Sequence, residues 1–325
     1  MNYNATIASK SFDTILANSR KASWSFFGKK IYFYAPSFVP YDNQYFTSSR
    51  TTFPSISLSG SSCALGCKHC GGKVLETMIP ATSPKKLFET CRILKNKGCK
   101  GCLISGGCLP NGSVPFEKFL DTFNRIKREL GLNIIVHTGI IDEKAAKQLK
   151  EAGIAAALID IVGSEDTIRE IYRLNASIED YNASLRALNQ SGIPFIPHVV
   201  VGLHYGKLKG ETRSLEMISK YTPKALVIIA FIPIKNTVMG TITPPTSKEI
   251  AYIITEARRM LPETPLVLGC MRPLGKHRTR TDTLAIKAGI NAIAFPDIAA
   301  IELAKSMRLD IKFFQKCCSQ LYEDL

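Results

Sequence analysis

The stretch "FPSISLSGSSCALGCKHC", residues 53–70, joins an apolar strand pattern to a loop that carries three cysteines. Cys63, Cys67 and Cys70 are separated by three and then two residues. In a chain without a secretion signal, clustered cysteines more often bind metal or perform redox chemistry than form disulfides. Zinc would need four ligands in short paired spacings, and the sequence offers no second pair nearby. The loop therefore predicts a metal ion or a metal cluster directly after the first strand of a sheet.

The composition is that of an ordinary globular protein. The chain has 325 residues, of which 45% are hydrophobic and ten are cysteines. Its longest apolar run, residues 225–234, is only ten residues long and is too short to span a bilayer. The N-terminal segment lacks the sustained arginine-rich pattern of a transit peptide. We therefore expect a cytoplasmic protein with a core large enough to need no disulfides.

A strand–helix rhythm continues from residue 53 to about residue 309. Apolar runs alternate with amphipathic segments, which is typical of a parallel sheet covered by helices. Eight such units have about the length of a (β/α)8 TIM-type barrel, complete or nearly so. An open partial barrel and a doubly wound sheet are the alternatives. The predicted strands are residues 53–59, 101–105, 133–138, 156–161, 194–201, 225–231, 265–269 and 291–295.

This α/β prediction divides the chain into three parts. Residues 1–52 form an N-terminal extension, residues 53–309 form the barrel, and residues 310–325 form a C-terminal tail. Ser177 and Asp180 have the spacing of a capping box, which predicts the start of one of the helices between the strands. We expect the tail to fold across the mouth of the barrel, where the carboxyl ends of the strands place the active site.

The spacing C-x3-C-x2-C resembles the motif of the radical S-adenosylmethionine (radical SAM) superfamily. The resemblance implies a [4Fe-4S] cluster held by Cys63, Cys67 and Cys70, with the fourth iron open to S-adenosylmethionine. That iron would pass an electron to the sulfonium group. The resulting 5′-deoxyadenosyl radical would then remove a hydrogen atom from an unactivated carbon.

The same resemblance implies further contacts with S-adenosylmethionine. The segment "SGGC", residues 105–108, is similar to a Gly-Gly-Glu segment of the superfamily, with Cys108 in place of the acid. A plain strand-to-helix turn would also use these two glycines. Asp160 would bind the ribose hydroxyls or cap a helix. The expected contacts are Ser105, Gly106, Gly107, His137, Asp160, Gly202 and Ile232.

Further cysteines are expected at the barrel mouth. Cys108 follows the second predicted strand, Cys270 follows the seventh, and the tail carries the adjacent pair Cys317 and Cys318. A tail across the mouth would bring one or both of its thiols to the other two. This distribution predicts an auxiliary [4Fe-4S] cluster held by Cys108, Cys270 and Cys317 or Cys318. Unrelated buried thiols are the alternative.

The remaining cysteines lie elsewhere in the predicted barrel. Cys91 falls on the core face of a helix, where a cysteine behaves as a small hydrophobic residue. Cys99 and Cys102 form a C-x2-C pair at the amino end of the second strand, away from the mouth. A metal site on that face is an alternative to two buried thiols.

Within the superfamily, the chain resembles biotin-synthase-related proteins, and among them one subunit of the two-protein archaeal-type lipoyl synthase. The segments that carry the resemblance are "CALGCKHC", "GCLISGGCLPNGSVP", "GLHYG", "LGCMRPLG" and the terminal "CC". The fourth of these places Arg272 where biotin synthase has an arginine at its auxiliary cluster. The N-terminal C-x4-C-x5-C of ordinary lipoyl synthase is not found before Cys63.

The resemblance implies radical insertion of sulfur into an unactivated C–H bond. The expected reaction is one of the two insertions, at carbon 6 or carbon 8 of a protein-bound octanoyl chain, that make a lipoyl group. A biotin-synthase-like or methylornithine-synthase-like enzyme that acts on a free small molecule is the alternative. Methylthiolation of transfer RNA is a second alternative.

The net charge of +15 bears on the expected partners. A basic surface suits an acidic protein or nucleic acid. We expect an acidic lipoyl-carrier domain or octanoylated peptide, a second radical SAM lipoyl synthase protein, and an electron donor such as ferredoxin or flavodoxin. Nucleic acid is a less favoured partner because the sequence shows no interleaved aromatic and basic motif.

Overall fold

The structure is a computed structural model that describes residues 11–325, so residues 1–10 of the predicted extension lie outside it. Thirteen strands are found in the described part of the chain. They are β1 (Lys30–Tyr34), β2 (Asp42–Asn43), β3 (Phe46–Thr47), β4 (Ser55–Ser57), β5 (Ile79–Pro80), β6 (Gly101–Ser105), β7 (Asn133–His137), β8 (Ala156–Asp160), β9 (Phe195–Val201), β10 (Leu226–Ala230), β11 (Leu266–Leu268), β12 (Ala292–Ala294) and β13 (Asp310–Phe314).

Eleven of these strands form one parallel sheet, in the order β13-β1-β12-β11-β10-β9-β8-β7-β6-β4-β5. All eight predicted strands are confirmed, and they lie side by side in chain order from β4 to β12. Both faces of these strands are apolar because each face meets a different layer. On β7, for example, Val136 packs with the helices and Ile135 packs in the interior.

The sheet curls into a half-barrel, and the complete eight-stranded barrel is not what the strand pairing shows. β1 pairs with the free edge of β12, through Tyr32 and Ala292, where closure would need β4. β13 then pairs with β1 and extends the sheet further. Within residues 11–325, no ladder joins β13 to β5. The predicted extension and tail therefore each contribute a strand to the sheet that was predicted to lie between them.

Helices cover the outer face of the sheet. They are α1 (Phe12–Phe27), α2 (Pro84–Asn96), α3 (Leu120–Arg125), α4 (Glu143–Glu151), α5 (Glu165–Thr167), α6 (Ile178–Ser191), α7 (Glu211–Ile218), α8 (Ser247–Met260), α9 (Lys276–Lys287) and α10 (Ile298–Ser306). The predicted capping box of Ser177 and Asp180 begins α6. Two π-helical turns, Ile126–Leu130 and Ile168–Tyr172, follow α3 and α5 directly. None of the helices within residues 11–325 is long and apolar enough to cross a membrane.

The C-terminal tail enters the interior of the curled sheet instead of lying across its mouth. Leu321 is fully buried and packs in the same inner cluster as Leu158 of β8. The hydroxyl of Tyr322 donates to the carbonyl of Ala155, at the amino end of β8 (3.2 Å). The tail is needed there because small inner-facing side chains leave space that an interior cannot leave empty. These small residues are Ala156, Ala225, Ala292 and Ala294.

The interior position of the tail predicts the effect of shortening Leu321. We expect Leu321→Ala to lower the free energy of unfolding by about 2–5 kcal/mol, because a buried leucine leaves a cavity when it is truncated. Leu325→Ala is the matched control, since Leu325 is 50% exposed, and should change it by less than about 0.5 kcal/mol. Urea unfolding followed by circular dichroism compares the two. Equal, small effects would contradict a tail packed inside the sheet.

Candidate functional site

The cysteine loop follows β4 and packs on the turn that follows β6. The amide of Gly107 donates to the hydroxyl of Ser59 (2.7 Å), and the amide of Ala64 donates to the carbonyl of Cys108 (2.9 Å). A Cβ on Gly107 would lie 2.6 Å from the Cα of Cys63, so only glycine allows this approach. Gly107 therefore helps to position the loop that carries the thiols.

Cys67 and Cys70 form the buried part of this loop, and Cys63 is half-buried. The sulfurs of Cys67 and Cys70 and a ring nitrogen of His69 lie within 4.8 Å of one another. The hydrogen bond from Cys67 lowers the pKa of Cys70, against the opposing effect of burial, and His69 lowers it further. The same hydrogen bond, together with burial, raises the pKa of Cys67, so Cys70 is the member of the buried pair that more readily becomes the thiolate, the form that binds iron. Three thiols on one loop fit the three protein-bound irons of a cubane cluster.

A π-helical turn, Ile168–Tyr172, packs against the loop and was not predicted from the sequence. The amide of Lys68 donates to the carbonyl of Ile171 (2.8 Å), and the ring centroids of His69 and Tyr172 lie 5.3 Å apart. π-helical turns are frequent at functional sites. No sequence signal separates this segment from an ordinary helix, since the extra residue per turn depends on tertiary packing.

Two other residues that were expected to contact S-adenosylmethionine, Ser105 and Gly202, form hydrogen bonds within the protein. The carbonyl of Ser105 accepts from the amide of Leu58 (2.8 Å). The amide of Gly202 donates to the carboxyl group of Glu211 (2.8 Å), and burial raises the pKa of that carboxyl group to about 7. A Cβ on Gly202 would lie 2.6 Å from the ring of Pro245. Binding of S-adenosylmethionine by these residues stays a prediction, as it does for Gly106, Gly107, His137, Asp160 and Ile232.

His137 and Asp160 meet a third polar residue, His198, inside the curled sheet. We call these three residues the inner polar triad. The Nε2 atom of His137 lies 3.5 Å from Oδ1 of Asp160, and the two imidazole centroids are 5.4 Å apart. Sequence reasoning missed His198, although it stands two positions after Ile196 in one strand. Because alternate residues of a strand share a face, the inward direction of Ile196 would have placed His198 inside.

In the inner polar triad, His137 and Asp160 shift each other's pKa against the effect of burial. Burial opposes charge on the His137 imidazole, but Asp160 outweighs it and raises the pKa of His137. Burial likewise disfavours the carboxylate, but His137 outweighs it and lowers the pKa of Asp160. Burial and the charge of His137 together lower the pKa of His198 to about 4. The His198 imidazole is therefore neutral at neutral pH.

Cys270, Cys317 and Cys318 form a second thiol group in the interior. Cys317 and Cys318 are both buried, and interaction with Cys318 lowers the pKa of Cys317. The charge of Cys317 raises the pKa of Cys270, and the charge of Cys270 raises the pKa of Cys318. Cys108 is placed differently: burial raises its pKa to about 12, and the leading charge acting on it is that of Cys63. The structure thus groups Cys270 with the tail and Cys108 with the first cysteine loop.

Arg272 was expected near an auxiliary cluster, and in the structure its charge acts on Cys270 and Cys318. The side chain is fully buried, and its guanidinium forms two bonds with the carboxylate of Asp282 (2.6 and 2.8 Å). It also donates to the carbonyls of Gly269 (2.6 Å) and Phe295 (3.2 Å). Arg272 therefore ties the segment that carries Cys270 to α9 and β12, and these four hydrogen bonds use four of its five N–H donors.

The other three cysteines are core residues. Interaction with Cys91 and burial raise the pKa of Cys102, and the thiol of Cys99 donates to the carbonyl of Gly101 (3.1 Å). All three are at most 1% exposed, and burial raises the pKa of Cys99 to about 11. Among the described residues, they belong to no group of three close metal ligands. These are the properties of buried thiols with a structural role.

Comparison with known proteins decides the family. The family model described as the radical SAM superfamily matches residues 58–221, about half of the chain, including the cysteine loop and the strands from β6 to β9. The chain belongs to the radical SAM superfamily. Radical SAM enzymes use a [4Fe-4S] cluster and S-adenosylmethionine, and Cys63, Cys67 and Cys70 are the residues that would hold that cluster here.

Curated relatives of this radical SAM enzyme include biotin synthases. The chain is 23% identical over 254 residues to biotin synthase from Leptospira biflexa, which covers 76% of this chain and 71% of the relative. It is 26% identical over 251 residues to biotin synthase from Schizosaccharomyces pombe, which covers 73% and 67%.

Solved structures show the same fold at low identity. Methylornithine synthase superposes with a TM-score of 0.64 at 16% identity, over 98% of this chain and 94% of that one. The FeFe-hydrogenase maturase HydG from Carboxydothermus hydrogenoformans gives 0.61 at 15% identity, over 87% and 63%. The curled parallel sheet is therefore the half-barrel of radical SAM TIM-type enzymes, and these likenesses carry no information on the substrate.

The buried pair of Arg272 and Asp282 predicts a large effect of neutralising one partner. We expect Asp282→Asn to lower the free energy of unfolding by about 3–5 kcal/mol, because it leaves an uncompensated buried charge. Glu216→Gln is the matched control, since the Arg213–Glu216 pair is about half exposed, and should cost less than about 1 kcal/mol. Urea unfolding measures both. Similar small losses would show that Arg272 does not depend on Asp282.

Proposed function

We propose that this radical SAM enzyme inserts one sulfur atom into a C–H bond of a protein-bound octanoyl chain, as one half of a two-protein lipoyl synthase. The observation that carries the proposal is the second thiol group in the interior, in which Cys317 and Cys318 are buried and Cys270 is half-buried. Sulfur insertion needs a source of sulfide beside the reacting carbon, whereas rearrangement of a free metabolite does not. The biotin synthase relatives support sulfur insertion as the reaction class.

The inner polar triad interacts electrostatically with both sets of thiols. The charge of His69, in the first cysteine loop, lowers the pKa of Asp160. The charge of Cys317, in the second thiol group, raises the pKa of His137. A substrate carbon in this region would therefore be close to both sets, as hydrogen abstraction followed by sulfur transfer requires.

The chain's own residues would bind and shield the reacting groups. Cys63, Cys67 and Cys70 would hold one [4Fe-4S] cluster, and the second thiol group would hold an auxiliary [4Fe-4S] cluster. When bound, these groups and S-adenosylmethionine supply hydrogen-atom abstraction and a sulfide. Each insertion would replace one C–H bond by a C–S bond: the hydrogen would leave in 5′-deoxyadenosine, the sulfide would leave the irons that held it, and one electron would pass to those irons. The electron that cleaves S-adenosylmethionine would come from a donor such as ferredoxin or flavodoxin, and the buried tail helps to exclude water.

Exposed apolar side chains at the carboxyl edge of the sheet suit an acyl substrate. We call them the apolar rim: Val39, Val74, Leu109, Val238, Met271, Leu274 and Ile298. Leu274 is 69% exposed and Val238 is 64% exposed, both on segments that follow strands. Contact with such a rim would remove part of the apolar surface of an octanoyl chain from water, which is favourable. The net charge of +15 would attract an acidic lipoyl-carrier domain, less strongly as salt increases.

The proposal is tested by measuring the mass of each candidate substrate after one anaerobic turnover. We expect an octanoylated carrier or peptide to stimulate 5′-deoxyadenosine formation and to gain the mass of one sulfur. Addition of a second lipoyl synthase protein should raise the gain to two. Cys270→Ala should abolish the gain in mass while 5′-deoxyadenosine still forms, and Cys91→Ala, a core thiol, is the matched control.

Each rival has its own signature in this experiment. Sulfur found in desthiobiotin would support a biotin-synthase-like reaction on a free metabolite. Sulfur found in transfer RNA would support methylthiolation of nucleic acid. Either result, with an unchanged octanoyl substrate, would overturn the proposal.

A further inference from the structure

The inner polar triad has the arrangement of a small metal site. Its members come from the neighbouring strands β7, β8 and β9, and Asp160 is the register partner of His198. One ligand atom from each of the three side chains lies within 4.8 Å of the others. His198 is 8% exposed, so its imidazole is available only to a ligand inside the curled sheet. Two imidazoles and one carboxylate are a common ligand set for zinc and iron(II).

The separation of His137 and Asp160 fits ligands of one ion better than it fits a direct hydrogen bond. Nε2 of His137 lies 3.5 Å from Oδ1 of Asp160. A direct bond between a charged nitrogen and a carboxylate is usually about 2.7–2.9 Å long. Two ligand atoms that each lie about 2.0–2.2 Å from a tetrahedral ion are about 3.4 Å apart. The observed distance is close to the second value.

The tautomer of His198 leaves a nitrogen available to a metal. Its Nδ1 atom lies 3.1 Å from the carbonyl oxygen of Ile196. A carbonyl can only accept, so Nδ1 carries the hydrogen and Nε2 carries the lone pair. Metal-binding histidines commonly donate their other ring N–H to a backbone carbonyl in this way, which fixes the direction of the ring.

We propose that His137, Asp160 and His198 bind one divalent transition-metal ion, such as zinc or iron(II), at a site separate from both sets of thiols. Three protein ligands leave a coordination position open to an oxygen atom of a bound molecule. The proposal gives His137 and Asp160 a role other than the contacts with S-adenosylmethionine that the sequence predicted. It does not depend on sulfur insertion, and either proposal can fail without the other.

Zinc binding to the holoenzyme tests this site. The protein is first loaded with iron and sulfide, so that its cluster cysteines are occupied, and is then dialysed against micromolar zinc. We expect about one zinc per chain by elemental analysis. X-ray absorption at the zinc edge should show only nitrogen and oxygen neighbours, at about 2.0–2.1 Å.

Variants separate this site from adventitious binding. Asp160→Asn and His198→Ala should each weaken zinc binding at least tenfold. His204→Ala is the matched control, because His204 contacts Thr167 and Tyr205 rather than the triad, and it should bind zinc as the unaltered protein does. If His198→Ala unfolds by circular dichroism, Asp160→Asn decides alone. No bound zinc, a sulfur neighbour at about 2.3 Å, or full binding by Asp160→Asn would overturn the proposal.

Discussion

The common direction of the strands is the constraint on which the rest of the structure depends. Every neighbouring pair in the eleven-stranded sheet is parallel, so the carboxyl ends of all strands share one edge. Loops that are distant in sequence therefore meet there. This edge brings the cysteine loop after β4 against the turn after β6, through the close approach of Gly107 to Cys63. It also aligns the inner polar triad across β7, β8 and β9.

Curling of the sheet creates a second requirement, because an enclosed interior must be filled or must bind something. Inner-facing alanines leave the amino-terminal part of the interior open, and the C-terminal tail fills it with Leu321 and Tyr322. The same tail carries two of the three thiols of the second thiol group. One segment thus closes the core and supplies the proposed auxiliary ligands, so stability and activity are expected to be linked there.

Much of this organisation could be predicted from local sequence. Strands that are apolar on both faces, and the spacing of three cysteines, are local patterns, and both were interpreted correctly. Long-range pairing was not accessible: β1 and β13 join the sheet through contacts that span nearly the whole chain. The pair of Arg272 and Asp282 was not predicted, because Asp282 lies on the following helix and no sequence signal links the two. His198 was missed although strand alternation places it inside, because a lone histidine in an apolar strand carries little signal.

Iron content of cysteine variants tests the central claim, that the interior holds two separate cluster sites, most directly. The variant with Cys63, Cys67 and Cys70 all replaced by alanine should still retain about four irons per chain after anaerobic reconstitution. Replacing Cys270, Cys317 and Cys318 as well should remove them. An iron-free, colourless protein after the first three replacements alone would contradict the account, because the second thiol group would then hold no cluster of its own.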